Sequence, residues 1–121
     1  MNIIEKILAK ASDRRDVNPG EIIEANIDKV MANDITAPLA VKAFKEMGGK
    51  KVWDKERIIL VLDHLVPANR DRSAELHMLL RKFVREQKIK HFYDVGRGGV
   101  CHQIMMENHV KPGEVIVGGD S

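Results

Sequence analysis

The run of five apolar residues from Ile58 to Leu62 constrains the fold of this chain more than any other feature. All five are β-branched residues or leucines, and a charged residue stands on either side of the run. Such a short, uninterrupted run is typical of a central β-strand that is covered on both faces. It is far shorter than the roughly 20 residues that a membrane-spanning helix requires. The run therefore predicts an interior strand of a layered domain.

The rest of the pattern alternates helices with strands. The predicted helices cover residues 3–11, 37–47 and 73–87, with Thr36 as N-cap of the second; the predicted strands cover residues 23–27, 58–62, 92–95 and 114–117. This alternation predicts an α/β fold with a mainly parallel sheet and helices on both faces. In such sheets ligands bind beyond the carboxyl ends of the strands. Asp63-His64 follows one predicted strand directly, and Asp120-Ser121 follows the last predicted strand after two glycines.

Composition narrows the classes of function. The chain has 121 residues, enough for one domain or part of one, and its 44% hydrophobic and 31% charged residues are typical of a globular protein. A net charge of +2 and 4% aromatic residues give no electrostatic or stacking surface for nucleic acid or membrane. The N-terminus has no signal-peptide pattern, and a single cysteine excludes an internal disulfide. We expect a soluble, cytoplasmic protein that binds neither nucleic acid nor membrane.

Asp63 and His64 form the clearest local candidate for chemistry. A carboxylate beside an imidazole can fix its orientation and raise its pKa, which prepares the imidazole as a general acid. The alternative is a strand-end carboxylate that caps a loop, with His64 simply solvated. Spacing alone slightly favours this second interpretation.

His102 is the next candidate, because Gly98 and Gly99 before it permit close approach of a ligand to the backbone. A surface loop with an incidental histidine is the alternative. Cys101 and His102 resemble a nucleophilic dyad only superficially, because neighbours on an extended segment point to opposite sides. Cys101 is therefore predicted to be a small buried residue, and His77 to lie on a helix surface.

Four motifs occur in order along the chain: Met31 to Pro38, Leu62 to Pro67, Gly99 to Gln103, and Pro112 through Ser121. Together they resemble the N-terminal part of the aconitase superfamily, in particular the large subunits of 3-isopropylmalate dehydratase and homoaconitase. The resemblance extends over essentially the whole chain. It implies part of an aconitase-type α/β/α domain that ends in mid-domain, as an N-terminal fragment covering residues 1–121.

The resemblance also implies a hydro-lyase, which isomerises a substituted malate by removing water and adding it back. Such enzymes use a [4Fe–4S] cluster with one open iron, held by three cysteines that lie downstream of these residues. It implies that Asp63 and His64 protonate the departing hydroxyl, and that His102 pairs with Asp120 near the substrate. Ser121 would contact a substrate carboxylate. The implied partners are the remainder of the large subunit, a small subunit and a hydroxy-acid substrate.

Pro38 separates the candidate branches of the superfamily. Aconitases proper carry glutamine at this position, whereas the 3-isopropylmalate branch of leucine biosynthesis and the homoaconitase branch of lysine or coenzyme B synthesis tolerate proline. The resemblance thus leaves both substrates open. We expect this chain alone to hold no cluster and to be inactive. A natural split subunit and an RNA-binding module are the alternatives, and the low charge disfavours the second.

Overall fold

The computed structural model describes residues 1–120, which form one parallel sheet with helices on both sides. The elements in chain order are α1 (Ile3–Ala11), β1 (Lys29–Asn33), α2 (Ala37–Glu46), β2 (Ile58–Val61), α3 (Asp71–Gln87), β3 (His91–Tyr93), α4 (Cys101–Asn108) and β4 (Ile116–Gly119). The strand order is β3-β2-β1-β4, and every pairing is parallel. The predicted α/β class with a parallel sheet is confirmed.

β2 is buried on both faces, as its apolar run predicted. On one face, Leu60 and Leu62 pack in a cluster with Leu80 and Phe83 of α3, and with α2. On the other face, Ile59 and Val61 pack in a second cluster against α4. Burial of one such side chain stabilises a fold by roughly 1.5–3 kcal/mol. The side chains of β2 therefore stabilise the packing of helices on both faces of the sheet.

The strand order reverses once, between β1 and β4. The chain passes from β1 through α2 to β2, and then through α3 to β3, with both helices on one face of the sheet. It then crosses through α4 on the opposite face and adds β4 to the other side of β1. The carboxyl ends of β1 and β4 therefore flank a topological switch point, where open α/β sheets bind ligands.

The predicted strand over residues 23–27 is wrong. These residues lie outside every strand, and the neighbouring strand is β1, which begins at Lys29. The backbone N–H of Asn26 donates to the carbonyl of Ala11 instead of to a strand, so the segment lies beside the end of α1. The alternation of polar and apolar residues here reflects uneven burial of the side chains, and the segment pairs with no strand.

The predicted extended segment around Cys101 and His102 is also wrong, because α4 begins at Cys101. A residue distant in sequence stabilises the first turn of α4, because the N–H of Cys101 donates to Asp63 Oδ2 at 2.7 Å. Cys101 itself is buried, as predicted. Among the described residues, no helix has the length and apolar character that crossing a membrane would require.

Candidate functional site

Four of the five sequence-predicted site residues meet at the carboxyl edge of the sheet. Asp63 and His64 follow β2, Asp120 follows β4, and His102 lies in the first turn of α4. Parallel strands end at the same edge, and the pairing of Ala32 with Gly119 brings the end of β4 beside that of β1. Ser121, the predicted substrate contact, lies outside the described residues.

Asp63 and His64 form a hydrogen-bonded pair with a fixed tautomer. His64 Nδ1 lies 2.7 Å from Asp63 Oδ1, and since a carboxylate only accepts, Nδ1 carries the proton. The other carboxylate oxygen accepts the N–H of Cys101, so the Asp63 side chain is held at both oxygens. The hydrogen bond from Asp63 raises the pKa of His64, which favours the imidazolium.

His102 and Asp120 form a second pair, with His102 Nε2 2.8 Å from Asp120 Oδ2. The other oxygen of Asp120 lies 3.7 Å from His64 Nε2. It also lies 3.4 Å from the side-chain nitrogen of Asn33. Asp120 therefore stands between the two imidazoles, and the site is one connected row of alternating carboxylates and histidines. The His64 and His102 rings remain partly exposed at this edge, so both can reach a ligand.

The ends of β1 and β4 are joined through Thr36. Thr36 is the N-cap residue of α2, as predicted, but its side chain makes no capping hydrogen bond, and its hydroxyl donates instead to the carbonyl of Gly119 at 2.7 Å. Asn33 stabilises the turn before α2, because its side-chain oxygen accepts the N–H groups of Ile35 and Thr36, each at 3.0 Å. A Cβ at position 119 would stand 3.3 Å from Thr36 Oγ1, so glycine suits this close approach. This contact fixes the residue before Asp120.

Asp34 is a member of the site that sequence reasoning did not assign. Its side chain is fully buried after β1 and accepts N–H groups from the loop that follows β2. Oδ1 accepts from Asp63 at 3.4 Å and His64 at 2.9 Å, and Oδ2 accepts from Leu65 at 2.7 Å. No strand was predicted directly before Asp34, so the local sequence pattern did not mark it as a site residue.

His77 was predicted to lie on the surface of its helix, and that prediction is wrong. It is 2% exposed, and its Nε2 lies 3.3 Å from Asp34 Oδ2. Helical spacing contained the signal, because Ser73, His77 and Leu80 recur at i, i+4 and i+7 on the buried face of α3. Burial raises the pKa of Asp34, but hydrogen bonds from Leu65, His64 and His77 outweigh it and leave that pKa lowered. Asp34 is therefore a buried carboxylate.

Asp34, Asp63 and His64 are close enough to be considered as a metal site, since one ligand atom from each lies within 4.8 Å of the others. However, the two oxygens of Asp34 already accept four N–H groups, which matches the four lone pairs of a carboxylate. Both oxygens of Asp63 also accept hydrogen bonds. We therefore interpret the three residues as a hydrogen-bonded cluster.

Cys101 does not fit as the ligand of an iron–sulfur cluster. It is the single cysteine of the chain, and its side chain packs in the apolar cluster between α4 and β2. Burial and the neighbouring Asp63 raise the pKa of its thiol to about 11, whereas a metal ligand must be a thiolate. The three thiolates that a [4Fe–4S] cluster needs are thus not supplied by these 121 residues.

Comparison with known proteins places the chain in a protein family. A family model described as "Aconitase family (aconitate hydratase)" matches residues 5–121. The chain is 52% identical over 122 residues to a probable 3-isopropylmalate dehydratase large subunit of Methanothermobacter thermautotrophicus, covering all of this chain and 29% of that protein. It is 55% identical over 121 residues to 3-isopropylmalate dehydratase large subunit 1 of Archaeoglobus fulgidus, covering 98% and 28%.

A third relative carries a different substrate name. The chain is 47% identical over 126 residues to a probable methanogen homoaconitase large subunit of Methanothermobacter thermautotrophicus, covering all of this chain and 29% of that protein. The chain thus spans less than a third of the length of the curated relatives it matches.

Proposed function

This chain belongs to the aconitase family, and from that premise we propose that it is the N-terminal part of the large subunit of a 3-isopropylmalate dehydratase. The complete enzyme would be a hydro-lyase that isomerises a substituted malate by removing water and adding it back. The main support is the row of Asp63, His64, Asp120 and His102 at the carboxyl edge of the sheet. The names of relatives about half identical over the whole chain give independent support.

His64 is the proposed acid of the dehydration step. A base outside these 121 residues removes a proton from the carbon beside the one that bears the hydroxyl. His64 gives its Nε2 proton to the hydroxyl oxygen as the C–O bond breaks, so water leaves and the C–H electron pair forms the double bond. Asp63 supports this step because it holds Nδ1 at 2.7 Å and favours the protonated ring. In the hydration direction, neutral His64 takes the proton back from the adding water.

His102 and Asp120 have the proposed role of binding and orienting the substrate. The 2.8 Å contact with Asp120 Oδ2 holds His102 Nε2, and the same carboxylate faces His64 at 3.7 Å. Because Nε2 of His102 is held by Asp120, its Nδ1 remains free to contact a hydroxy acid at this edge, and His64 Nε2 supplies a donor beside it. Ser121, which follows Asp120 in the sequence, is proposed to contact a substrate carboxylate.

The [4Fe–4S] cluster of the complete enzyme is assigned to cysteines beyond these residues, because Cys101 is buried and protonated at neutral pH. The remainder of the large subunit and a separate small subunit are the proposed partners, since the relatives are named as large subunits. We expect the 121-residue chain by itself to be inactive and to hold no cluster.

Residues 1–121 are further proposed to be the first part of a larger α/β/α domain. An apolar groove of about 370 Å³ opens beside α2, lined in part by Val30, Phe44 and Trp53. Val117 of β4 is also exposed at the edge of the sheet. We propose that later residues of the same large subunit cover this surface, because the relatives continue for more than twice this length. Co-expression with the remaining segment should then yield a complex that is more stable than the 121-residue chain alone.

Homoaconitase is the second candidate function, and the homoaconitase-named relative at 47% identity is the observation in its favour. Both candidates share the same proton chemistry and differ only in the substituent of the malate. The proposed roles of the edge residues concern the shared hydroxy-acid portion, so they do not discriminate between the two candidates.

The test uses the complete large subunit, assembled anaerobically with its small subunit and its cluster. Hydration is measured as the loss of absorbance of the substrate double bond. We expect isopropylmaleate to be hydrated faster than homoaconitate. The variant His64→Gln should lower kcat by roughly 10²–10⁴-fold, the usual share of a general acid. Lys90→Gln, which removes an exposed ion pair with Glu56, is the matched control and should retain full activity. Turnover of homoaconitate alone would favour the second candidate, and turnover of neither would refute both.

A further inference from the structure

We propose that Asp34 is a positioning residue for the proposed reaction, and that it acts by fixing the loop that presents Asp63 and His64. This inference rests on the proposed function, since the value of the loop geometry lies in the acid that His64 provides. Asp34 itself is fully buried, whereas the His64 ring is partly exposed. It therefore reaches the substrate only through the residues that it holds.

The backbone geometry supports this role first. Three consecutive N–H groups, those of Asp63, His64 and Leu65, converge on the two oxygens of one carboxylate at 3.4, 2.9 and 2.7 Å. Three donors in succession fix both backbone dihedrals of His64, because the peptide groups on either side of it are held. The direction of the His64 side chain is thus determined from β1, the neighbouring strand, through Asp34.

His77 completes the arrangement from the opposite side. It projects from α3, is buried, and places Nε2 3.3 Å from Asp34 Oδ2. With this fourth donor, each oxygen of Asp34 accepts two N–H groups, so rotation of the carboxylate would break several bonds at once. An asparagine at position 34 offers one acceptor oxygen, and its NH₂ group would face two N–H donors. The site therefore selects a carboxylate over an amide of the same shape.

Charge supports the same conclusion. Three carboxylates face His64: Asp63 at 2.7 Å from Nδ1, Asp34 at 3.8 Å from Nδ1, and Asp120 at 3.7 Å from Nε2. Each of them raises the pKa of His64, with the hydrogen bond from Asp63 as the largest cause. Loss of the Asp34 charge should therefore lower the pKa of His64 while both of its other carboxylates remain.

The experiment compares Asp34→Asn with Glu114→Gln in the complete large subunit assembled with its small subunit. Glu114 is the matched control, since it is a partly buried carboxylate, paired with Lys29 at the opposite end of the sheet. The first readout is the pKa of His64, from NMR titration of histidine-labelled protein, with the signal assigned by its loss in His64→Gln. The second is the pH profile of kcat in the dehydration direction.

For Asp34→Asn we expect a lowered pKa of His64 and a shift of the alkaline limb of kcat to lower pH. We also expect a fall in kcat of about 10–100-fold, comparable to the loss of an outer hydrogen-bonding partner in other active sites. KM should change by less than about threefold, because uniform substrate binding is retained. Glu114→Gln should leave the pKa of His64, the alkaline limb, kcat and KM unchanged. A folded Asp34→Asn enzyme with an unchanged His64 titration and pH profile would overturn the proposal.

A second pair of variants covers the case in which Asp34→Asn does not fold. His77→Gln keeps an amide N–H for Asp34, whereas His77→Leu removes the donor. We expect His77→Leu to lower kcat and His77→Gln to restore most of it; equal effects in both would overturn the inference. If the wild-type enzyme turns over neither substrate, the proposed function fails, while the His64 titration still decides the positioning role of Asp34.

Discussion

The substitution Asp63→Asn tests the central pair of the site most directly, because it changes charge without changing shape. In the native protein both oxygens of Asp63 accept, one from His64 Nδ1 and one from the N–H of Cys101, each at 2.7 Å. An asparagine has one acceptor oxygen and one NH₂ group. The oxygen should turn to Cys101, whose N–H can only donate, and the NH₂ group should then face Nδ1. His64 Nδ1 can meet that group only as an acceptor, which requires the neutral ring.

The magnitude of the effect follows from this reversal. Asp63→Asn replaces the main cause of the raised pKa of His64 with a hydrogen bond that favours the neutral ring, so that pKa falls. The imidazole remains in place, so we expect the lower end of the range for loss of a general acid, a fall in kcat of about 100-fold. That factor corresponds to about 2.7 kcal/mol of transition-state stabilisation.

The assay is the pH dependence of kcat for dehydration in the assembled enzyme. His64 must be protonated to act as the acid, so activity is lost as the pH rises through its pKa, and Asp63→Asn should move this alkaline limb to lower pH. Stability provides a second readout. A pKa raised above the ordinary 6.5 contributes stability that is fully present below 6.5 and is lost as pH rises through the raised value. The melting temperatures of native and variant protein should therefore differ most in acid and converge at alkaline pH.

Asp54→Asn is the control for this substitution, because Asp54 is a more exposed carboxylate that pairs with Arg57 at 3.3 Å. It should leave both the alkaline limb and the stability profile unchanged. An Asp63→Asn enzyme whose alkaline limb coincides with that of the native enzyme would refute the assignment of His64 as the acid. A melting-temperature difference that stays constant with pH would show that Asp63 does not control the charge of His64.

Three further predictions concern the scaffold of the site. Leu80→Ala should lower the free energy of unfolding in denaturant by about 2–5 kcal/mol, because Leu80 is 0% exposed. Leu79→Ala is the control and should lower it far less, because Leu79 is 38% exposed. Equal losses would contradict the assigned face of α3. Gly119→Ala should lower kcat by crowding Thr36 Oγ1 at 3.3 Å and displacing Asp120, while Gly99→Ala, which meets nothing within 4 Å, should not. In the 121-residue chain, Cys101 should react with iodoacetamide much more slowly than free cysteine at neutral pH, because its thiol is buried and the pKa of the thiol is raised to about 11. Denaturant should restore the normal rate. Rapid labelling of the folded chain would show that α4 does not cover Cys101.

Local pattern predicted the elements of this fold well where a single element accounts for the pattern. The apolar run at residues 58–62 became β2, and the i, i+3, i+4 spacing after Ser73 became α3. The pattern failed at residues 23–27, where the partner of the segment is the end of α1 and not a strand. It failed again at Cys101, because the first turn of α4 receives its hydrogen-bond acceptor from Asp63, 38 residues earlier in the chain. Sequence periodicity contains no information on either partner.

The site was predicted in the same uneven way. Asp63, His64, His102 and Asp120 stand next to strand ends or glycines, so their position along the chain marked them, and the structure brings them together. The catalytic roles assigned to them remain predictions. Asp34 has no such local mark, and helical spacing marks His77 only as a buried residue of α3. Their importance lies in contacts across 29 to 43 residues of chain, which only the packing of β1, β2 and α3 creates.

The order of the strands explains why these distant residues converge. Because α4 crosses to the face opposite α2 and α3, β4 pairs with β1 and not with β3, and β1 becomes the shared neighbour of β2 and β4. The residues after β1 can therefore contact both flanking loops: Asp34 holds the loop after β2, and Asn33 and Thr36 hold the end of β4. A strand added beside β3 instead would leave Asp120 three strands away from β1, out of reach of Asn33 and Thr36. The reversal of strand order is thus the feature that assembles the two carboxylate–histidine pairs into one site.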